Sequence, residues 1–258
     1  QNEKVAIYAD FDLDGTPGLA LLYDGLIGLG FNEDNIFRYQ PSRLKEGYGL
    51  HKAAIDGLIE KGVSLIVTVD LGITAVEEVL HARKKNVDVV ITDHHLPGDR
   101  LPMAFAIVNP NQGDCPSGLG YLAGVGVAFY LVMALRSRLK ETSQKAKEFS
   151  LKGLLDCFAV GTITDMVPLV GDNRTLVKHG LKVLENTNRL GLSLLLQRLD
   201  LFGKVLSSQD VAMKFAPKLN ALSRMECGVL PIEVFLVKDR NKAESLVETI
   251  IKTNQKRR

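Results

Sequence analysis

Cysteine is scarce: Cys115, Cys157 and Cys227 are the only three in 258 residues, odd in number, far apart and in no CxxC pair. That count disfavours a disulfide framework and a thiolate zinc or iron–sulfur site, and it fits a reducing, cytoplasmic setting. Charge of one sign is not in excess either. Lys and Arg total 32 against 30 Asp and Glu, a net +2, so the sum argues neither for nor against a polyanionic partner. No apolar run approaches the roughly 20 residues that span a bilayer, and the opening QNEK is not a signal peptide. A soluble chain without a membrane partner is expected. There is no fixed-period repeat and no low-complexity tract, and the glycine-rich GLGYLAGVGVA lacks the lysine of a phosphate-binding loop, so it reads as a tight helix entry.

What is present is the composition of a globular enzyme, 46% hydrophobic and 24% charged, which excludes disorder. KVAIYADFD, SLIVTVD, VDVVITDHH and FAIVNP are short β-branched runs that stop at polar residues, and helix-like segments such as GLALLYDGLIGLG and TAVEEVLHARKKN lie between the first three. The alternation predicts an α/β fold, a parallel sheet flanked by helices. Beyond about residue 120 the pattern becomes mostly helical: AGVGVAFYLVMALRSRL, SLKGLLDCFAVGTITDMV, LVKHGLKVLENT and GLSLLLQRL read as helices, with a strand expected only at VLPIEVFLV. The chain starts without Met, and Ala243, Leu246, Val247, Ile250 and Ile251 keep helical spacing up to its last residues, so both ends read as cut from something longer.

Ligands of open parallel sheets collect beyond the carboxyl ends of the strands, and three of the four predicted strands close on acids. Asp10, Asp12 and Asp14 alternate along the end of the first, which predicts three carboxylates on one face, costly without a cation. Asp70 closes the second. Asp93, His94 and His95 close the third, two of only five histidines standing side by side, and a helix then delivers Asp165. Each piece has a bland reading: a DxDxD run can cap a turn or bind calcium, a histidine pair can decorate a loop, and Asp165 can cap a helix. Jointly, at strand ends, they point to mixed carboxylate and imidazole ligation of manganese, magnesium or a similar ion. The number of acids suggests two ions, about 3.5–4 Å apart, serving phosphoryl chemistry, with Asp70 as the candidate bridge.

These residues, in this order, resemble the DHH phosphoesterase superfamily. ADFDLDG, TVDLGIT, ITDHHLPG and GTITDMVPLVGDNR carry the resemblance, and PSRLKEGYGL, NPNQGDCP and PKLNALSRM make it closer to the RecJ family of bacterial single-strand-specific exonucleases. The resemblance covers essentially the whole chain. It implies Asp12, Asp14, Asp70, His94 and Asp165 as ligands of two Mn²⁺ or Mg²⁺ ions, with Asp70 bridging. Asp70, Asp93 and His95 would form the catalytic group, His95 facing the scissile phosphate. Asp10 and Asp93 would orient the ligands from behind, Arg43 and Arg224 would contact the DNA backbone, and Asn173 and Arg174 would fix the loop after Asp165.

The implied activity is metal-dependent hydrolysis of single-stranded DNA from its 5′ end in DNA repair and recombination, by a cytoplasmic monomer with no identifiable protein partner. The alternatives are a short-oligonucleotide phosphodiesterase and a non-catalytic replication scaffold. Residues 1–240 are expected to form the DHH catalytic domain and 241–258 the start of a connecting helix to a DHH-associated domain. Three departures stand out: DGTPG after the first motif puts Pro17 in a first helical turn, where proline is tolerated; Leu71 replaces a small residue; and LSRME places Glu226 beside Arg224.

Overall fold

The computed structural model describes residues 3–43, 45–223 and 230–256. Its first half alternates strands and helices: β1 (Lys4–Ala9), α1 (Gly15–Gly28), β2 (Ile36–Tyr39), α2 (Lys52–Glu60), β3 (Val63–Val69), α3 (Val76–Lys84), β4 (Asp88–Thr92) and β5 (Ala106–Val108). The five strands form one parallel sheet in the order β2-β1-β3-β4-β5. The chain leaves β1 towards one edge and returns to the other side of it, so the order reverses between β1 and β3, where a crevice opens at the carboxyl ends.

Both faces of the sheet are covered, which is why its strands read as continuous apolar runs. Val5, Ile7, Ala9, Val67 and Val69 pack with Leu19, Val125 and Phe158 in one cluster. Ala6, Tyr8, Ile66 and Ile91 pack with Ile55, Leu58, Val79 and Ala82 in the other. The first cluster extends into the second half of the chain: α4 (Gly124–Leu139), α5 (Gln144–Glu148), α6 (Leu155–Thr164), α7 (Gly171–Leu184), α8 (Leu190–Arg198), a π-helical turn (Asp210–Phe215) running into α9 (Ala216–Ser223), α10 (Pro231–Leu236) and α11 (Arg240–Lys256). Glycine sets the closest approach between α6 and α7, where a Cβ on Gly180 would lie 2.2 Å from the Leu155 carbonyl oxygen.

Two expectations change. VLPIEVFLV, of which Val229 lies outside the described residues, is not a strand over 230–237: Pro231 opens α10, where its missing N–H costs nothing, and the Glu233 side chain accepts from the Leu230 amide at 3.4 Å. The aspartates of DFDLDG do not alternate along a strand, because β1 ends at Ala9 and residues 10–14 turn into α1, with Asp14 as the residue before its first turn. A four-residue strand, β2, was not expected; Arg38 on it is exposed, which breaks the apolar run. Pro17 sits in the first turn of α1, as proline's lack of an N–H allows.

Candidate metal centre

Each strand that lines the crevice ends on an acid whose amide adds one more rung to the sheet. Asp10 N donates to Val69 O at 3.2 Å, Asp70 N to Thr92 O at 3.0 Å and Asp93 N to Val108 O at 3.2 Å. Asp70 then leaves the β region with φ +62°, a left-handed conformation that Asp tolerates better than most residues, and Gly72 follows at φ +113°. This turn sends the Asp70 carboxylate into the crevice instead of into a continuing strand.

The turn after β1 holds the remaining acids. Asp12 Oδ1 accepts from the amides of Asp14 and Gly15 at 2.7 and 2.9 Å, so the turn-capping role of the DxDxD run is real and coexists with the cluster. Asp14 reaches across to the start of α4, where its two carboxylate oxygens accept from Gly124 and Val125 at 2.5 and 2.9 Å. The glycine-rich segment is thus a tight helix entry, and its free N–H groups bind a carboxylate of the same chain. Gly124 is required there, since a Cβ would lie 2.5 Å from that of Asp70. Asp165 closes α6 at its carboxyl end, where the helix dipole disfavours a negative charge, and Met166 turns away at φ +62°.

His94 points inward. Its Nε2 lies 3.2 Å from Asp70 Oδ1 and 3.7 Å from both Asp14 Oδ2 and Asp165 Oδ2. His95, at the rim of the same crevice with its Nδ1 3.8 Å from Asp70 Oδ1, donates from Nδ1 to Asp93 Oδ1 at 2.7 Å and remains 46% exposed. Asp93 also accepts from the amides of His94, His95 and Ile73. Tyr48, between two glycines in the left-handed region, places its hydroxyl 3.4 Å from His95 Nδ1.

The electrostatics follow from crowding. Burial, and then the neighbouring acids, push Asp70 and Asp14 well above the ordinary carboxylate range. Burial with Asp12 beside them raises Asp10 to about 7 and Asp165 to about 6. Asp93 is the exception: burial raises it, yet the hydrogen bonds from His95 and Ile73 hold it below its ordinary value. Burial, helped by the neighbouring His95, lowers His94, whereas the hydrogen bond to Asp93 raises His95.

Three sets of donor atoms lie close enough to hold a cation, within 4.8 Å of one another: Asp10, Asp12 and Asp70; Asp14, His94 and Asp165; Asp70, His94 and His95. Asp70 and His94 each belong to two of them, and of the two only the carboxylate has a second ligand atom to offer. Asp10, expected behind the ligands, stands level with Asp12, and its Oδ1 is buried with no hydrogen-bond partner. Asp70 Oδ1 and His94 Nε2 are likewise buried without a hydrogen bond. Such orphaned atoms, acids held above their ordinary range and a neutral imidazole are what a cation site looks like before the cation's charge is counted.

Arg43 is exposed, its guanidinium 5.2 Å from the centre of the Phe11 ring, next to the acids of the turn. Arg224, Glu226 and Cys227 lie outside the described residues. Asn173, fully buried, donates to the carbonyls of Pro168 and Tyr121 at 3.1 and 2.7 Å and so closes the loop after Asp165. Sequence reasoning assigned no role to Tyr48, Gln40, Asn109 or Asn111. Gln40 ties the Asp10 carbonyl to Thr16, and the two asparagines reach the carbonyls of His95 and His94. The motifs that contain Tyr48, Asn109 and Asn111 were the only signal.

The family model of the DHH family, N-terminal domain, matches residues 4–162, which takes in every residue of the cluster except Asp165. The chain belongs to the DHH family. Within that family it is 40% identical to the single-stranded-DNA-specific exonuclease RecJ of Bacillus subtilis and 39% identical to that of Dickeya dadantii, in each case over all of this chain but only 31% and 45% of the relative. The chain therefore spans less than half the length of these curated relatives. A crystal structure of exonuclease RecJ bound to manganese superposes on all of it with a TM-score of 0.86 at 33% identity, over 62% of that chain. The likeness extends beyond the matched domain, through α7 to α11.

Proposed function

We propose that this chain carries the catalytic centre of a metal-dependent exonuclease that removes nucleotides from the 5′ end of single-stranded DNA. The observation that carries the reading is the meeting of Asp70 Oδ1 and His94 Nε2, 3.2 Å apart, buried and unpartnered, amid Asp10, Asp12, Asp14 and Asp165. The relatives' names and the manganese-bound relative support the substrate and the ion.

Asp12, Asp14, Asp70, His94 and Asp165 would hold two divalent cations, Mn²⁺ or Mg²⁺, with Asp70 common to both and Asp10 as a further ligand. When bound, the ions supply an activated water and neutralise charge that builds on the phosphorus centre. The chain's own residues do the rest. Asp14, buried on the start of α4, fixes the floor of the crevice. Asp93 holds Nδ1 of His95 as a donor, so its other ring nitrogen is left for the phosphate or the departing oxygen, and the raised pKa favours the protonated imidazole that such a role needs. Arg43 and Arg224 would grip the backbone of the strand, where a planar guanidinium can contact a phosphate in bidentate fashion.

The reading extends to a monomer working in the cytoplasm in repair and recombination; none of the described helices is long and apolar enough to cross a membrane. The test is hydrolysis of 5′-labelled single strands by the chain with Mn²⁺, Mg²⁺ and chelator, beside a duplex and a dinucleotide. Mononucleotides released from the 5′ end of the single strand are expected. Cleavage of dinucleotides alone would make it a short-oligonucleotide phosphodiesterase instead, and no cleavage with either ion would overturn the proposal.

A further inference from the structure

A β-strand sends successive side chains to opposite faces, so two adjacent histidines cannot both serve one crevice while the strand continues. β4 stops at Thr92, and His94 and His95 follow outside it, their rings 4.6 Å apart and tilted by 56°. Leaving the strand forfeits ladder hydrogen bonds, and the freed backbone groups need other partners.

Three side chains supply all four. Asp93 Oδ1 accepts both amides, at 2.8 Å from His94 and 3.1 Å from His95. The two carbonyls are held from the segment after β5: Asn109 Nδ2 donates to His95 O at 2.9 Å, and Asn111 Nδ2 donates to His94 O. The asparagines are themselves joined, with Asn109 Oδ1 accepting from Asn111 N at 2.8 Å, and Gln112 Nε2 donates to Asn109 O at 3.1 Å. Asn109 is only 2% exposed, and it follows β5 as Asp93 follows β4.

We propose that Asn109 and Asn111 are positioning residues that set the directions of the two imidazoles by anchoring their carbonyls: Asn111 keeps His94 aimed at Asp14, Asp70 and Asp165, and Asn109 keeps His95 on Asp93. The inference rests on the functional reading above for its consequence, not for its geometry. Supporting groups of this kind typically change metal affinity or turnover by about 10–100-fold. Gly120 belongs to the same device. A Cβ there would lie 2.5 Å from Asn111 Oδ1, and since that atom ends a side chain, the amide would be the part displaced.

The experiment compares Asn111→Ala, Gly120→Ala and Asn109→Asp with the unaltered chain. It reads ¹⁵N imidazole spectra of the metal-free protein, Mn²⁺ affinity by electron paramagnetic resonance of the free ion, thermal midpoint, and kcat and KM on 5′-labelled single strands. Asn111→Ala and Gly120→Ala are expected to shift the His94 imidazole signals and weaken Mn²⁺ binding tenfold or more, with a thermal midpoint within a few degrees. Asn109→Asp turns the donor that faces His95 O into an acceptor; it is expected to shift the His95 signals and lower kcat about tenfold, with Mn²⁺ affinity within twofold and KM unchanged. Unmoved imidazole signals and Mn²⁺ affinity within twofold in both Asn111→Ala and Gly120→Ala would overturn the proposal. So would losses that merely track the thermal midpoint. Should the unaltered chain cleave no DNA, the functional reading fails while the imidazole spectra still decide the clamp.

Discussion

His95 Nδ1 donates to Asp93 Oδ1 at 2.7 Å, and Asp93 is the one acid of the crevice held below its ordinary pKa. Asp93 is therefore committed to orienting its neighbours and is ionised when Asp10 and Asp165 are still partly protonated. Asp93→Asn should let the His95 pKa fall, which ¹⁵N imidazole titration would register. Turnover on single-stranded DNA should fall about 10–100-fold, in line with the loss of an orienting partner. Unchanged titration of His95 would show that the pair is not coupled as described.

Asp70 sets stability against function. It is a buried acid next to Asp10, Asp12, Asp14 and Asp93, in a left-handed conformation. Asp70→Asn keeps a residue that tolerates that backbone and removes the charge. The thermal midpoint of the metal-free protein should rise, while Mn²⁺ binding weakens and cleavage drops by at least about a hundredfold, because the ligand proposed to serve both ions is lost. Near-normal turnover would exclude the shared-ligand mechanism.

The pH dependence of the metal-free protein should have an unusual sign. Between the ordinary carboxylate range and about pH 7, the folded state keeps protons on Asp10, Asp165, Asp70 and Asp14 that the unfolded chain has lost. Stability then falls as pH rises. His95, raised by Asp93, adds to the same trend, and His94, lowered by burial, opposes it. Thermal midpoints should decline from pH 5 to 8 with chelator present, and added Mn²⁺ should raise them more at pH 8 than at pH 5. Binding at 100 times the dissociation constant would add about 2.7 kcal/mol. A midpoint that climbs with pH under chelation would contradict this.

Arg43 is exposed and packs on Phe11, with no acid bridging its guanidinium among the described residues. Arg43→Ala should raise KM for single-stranded DNA and make the salt dependence of binding shallower by about one unit in the log–log slope. Arg224→Ala should act in the same way. A fall in kcat at saturating DNA with no change in KM would instead assign either arginine to the chemistry.

The sheet and most of the cluster were legible because acids close apolar, β-branched runs, a pattern with a direct structural meaning. Asp70, Asp93, His94 and His95 stand where such runs stop. The path of residues 10–14 was not legible, because an alternating DxDxD fits a strand end and a turn into a helix equally well; only the Asp12 cap and the reach of Asp14 to α4 distinguish them. β2 is too short to show a period, and Pro231 outweighs the β-branched residues around it. The asparagines after β5 carry no signature of their own, since their partners are backbone carbonyls at a strand end whose position depends on the whole sheet.

Anomalous diffraction at the manganese edge, from crystals of this chain grown with Mn²⁺, tests the central claim most directly. Two peaks about 3.5–4 Å apart are predicted, enclosed by Asp10, Asp12, Asp14, Asp70, His94 and Asp165, with Asp70 touching both. An empty crevice, or peaks held by other residues, would contradict the account.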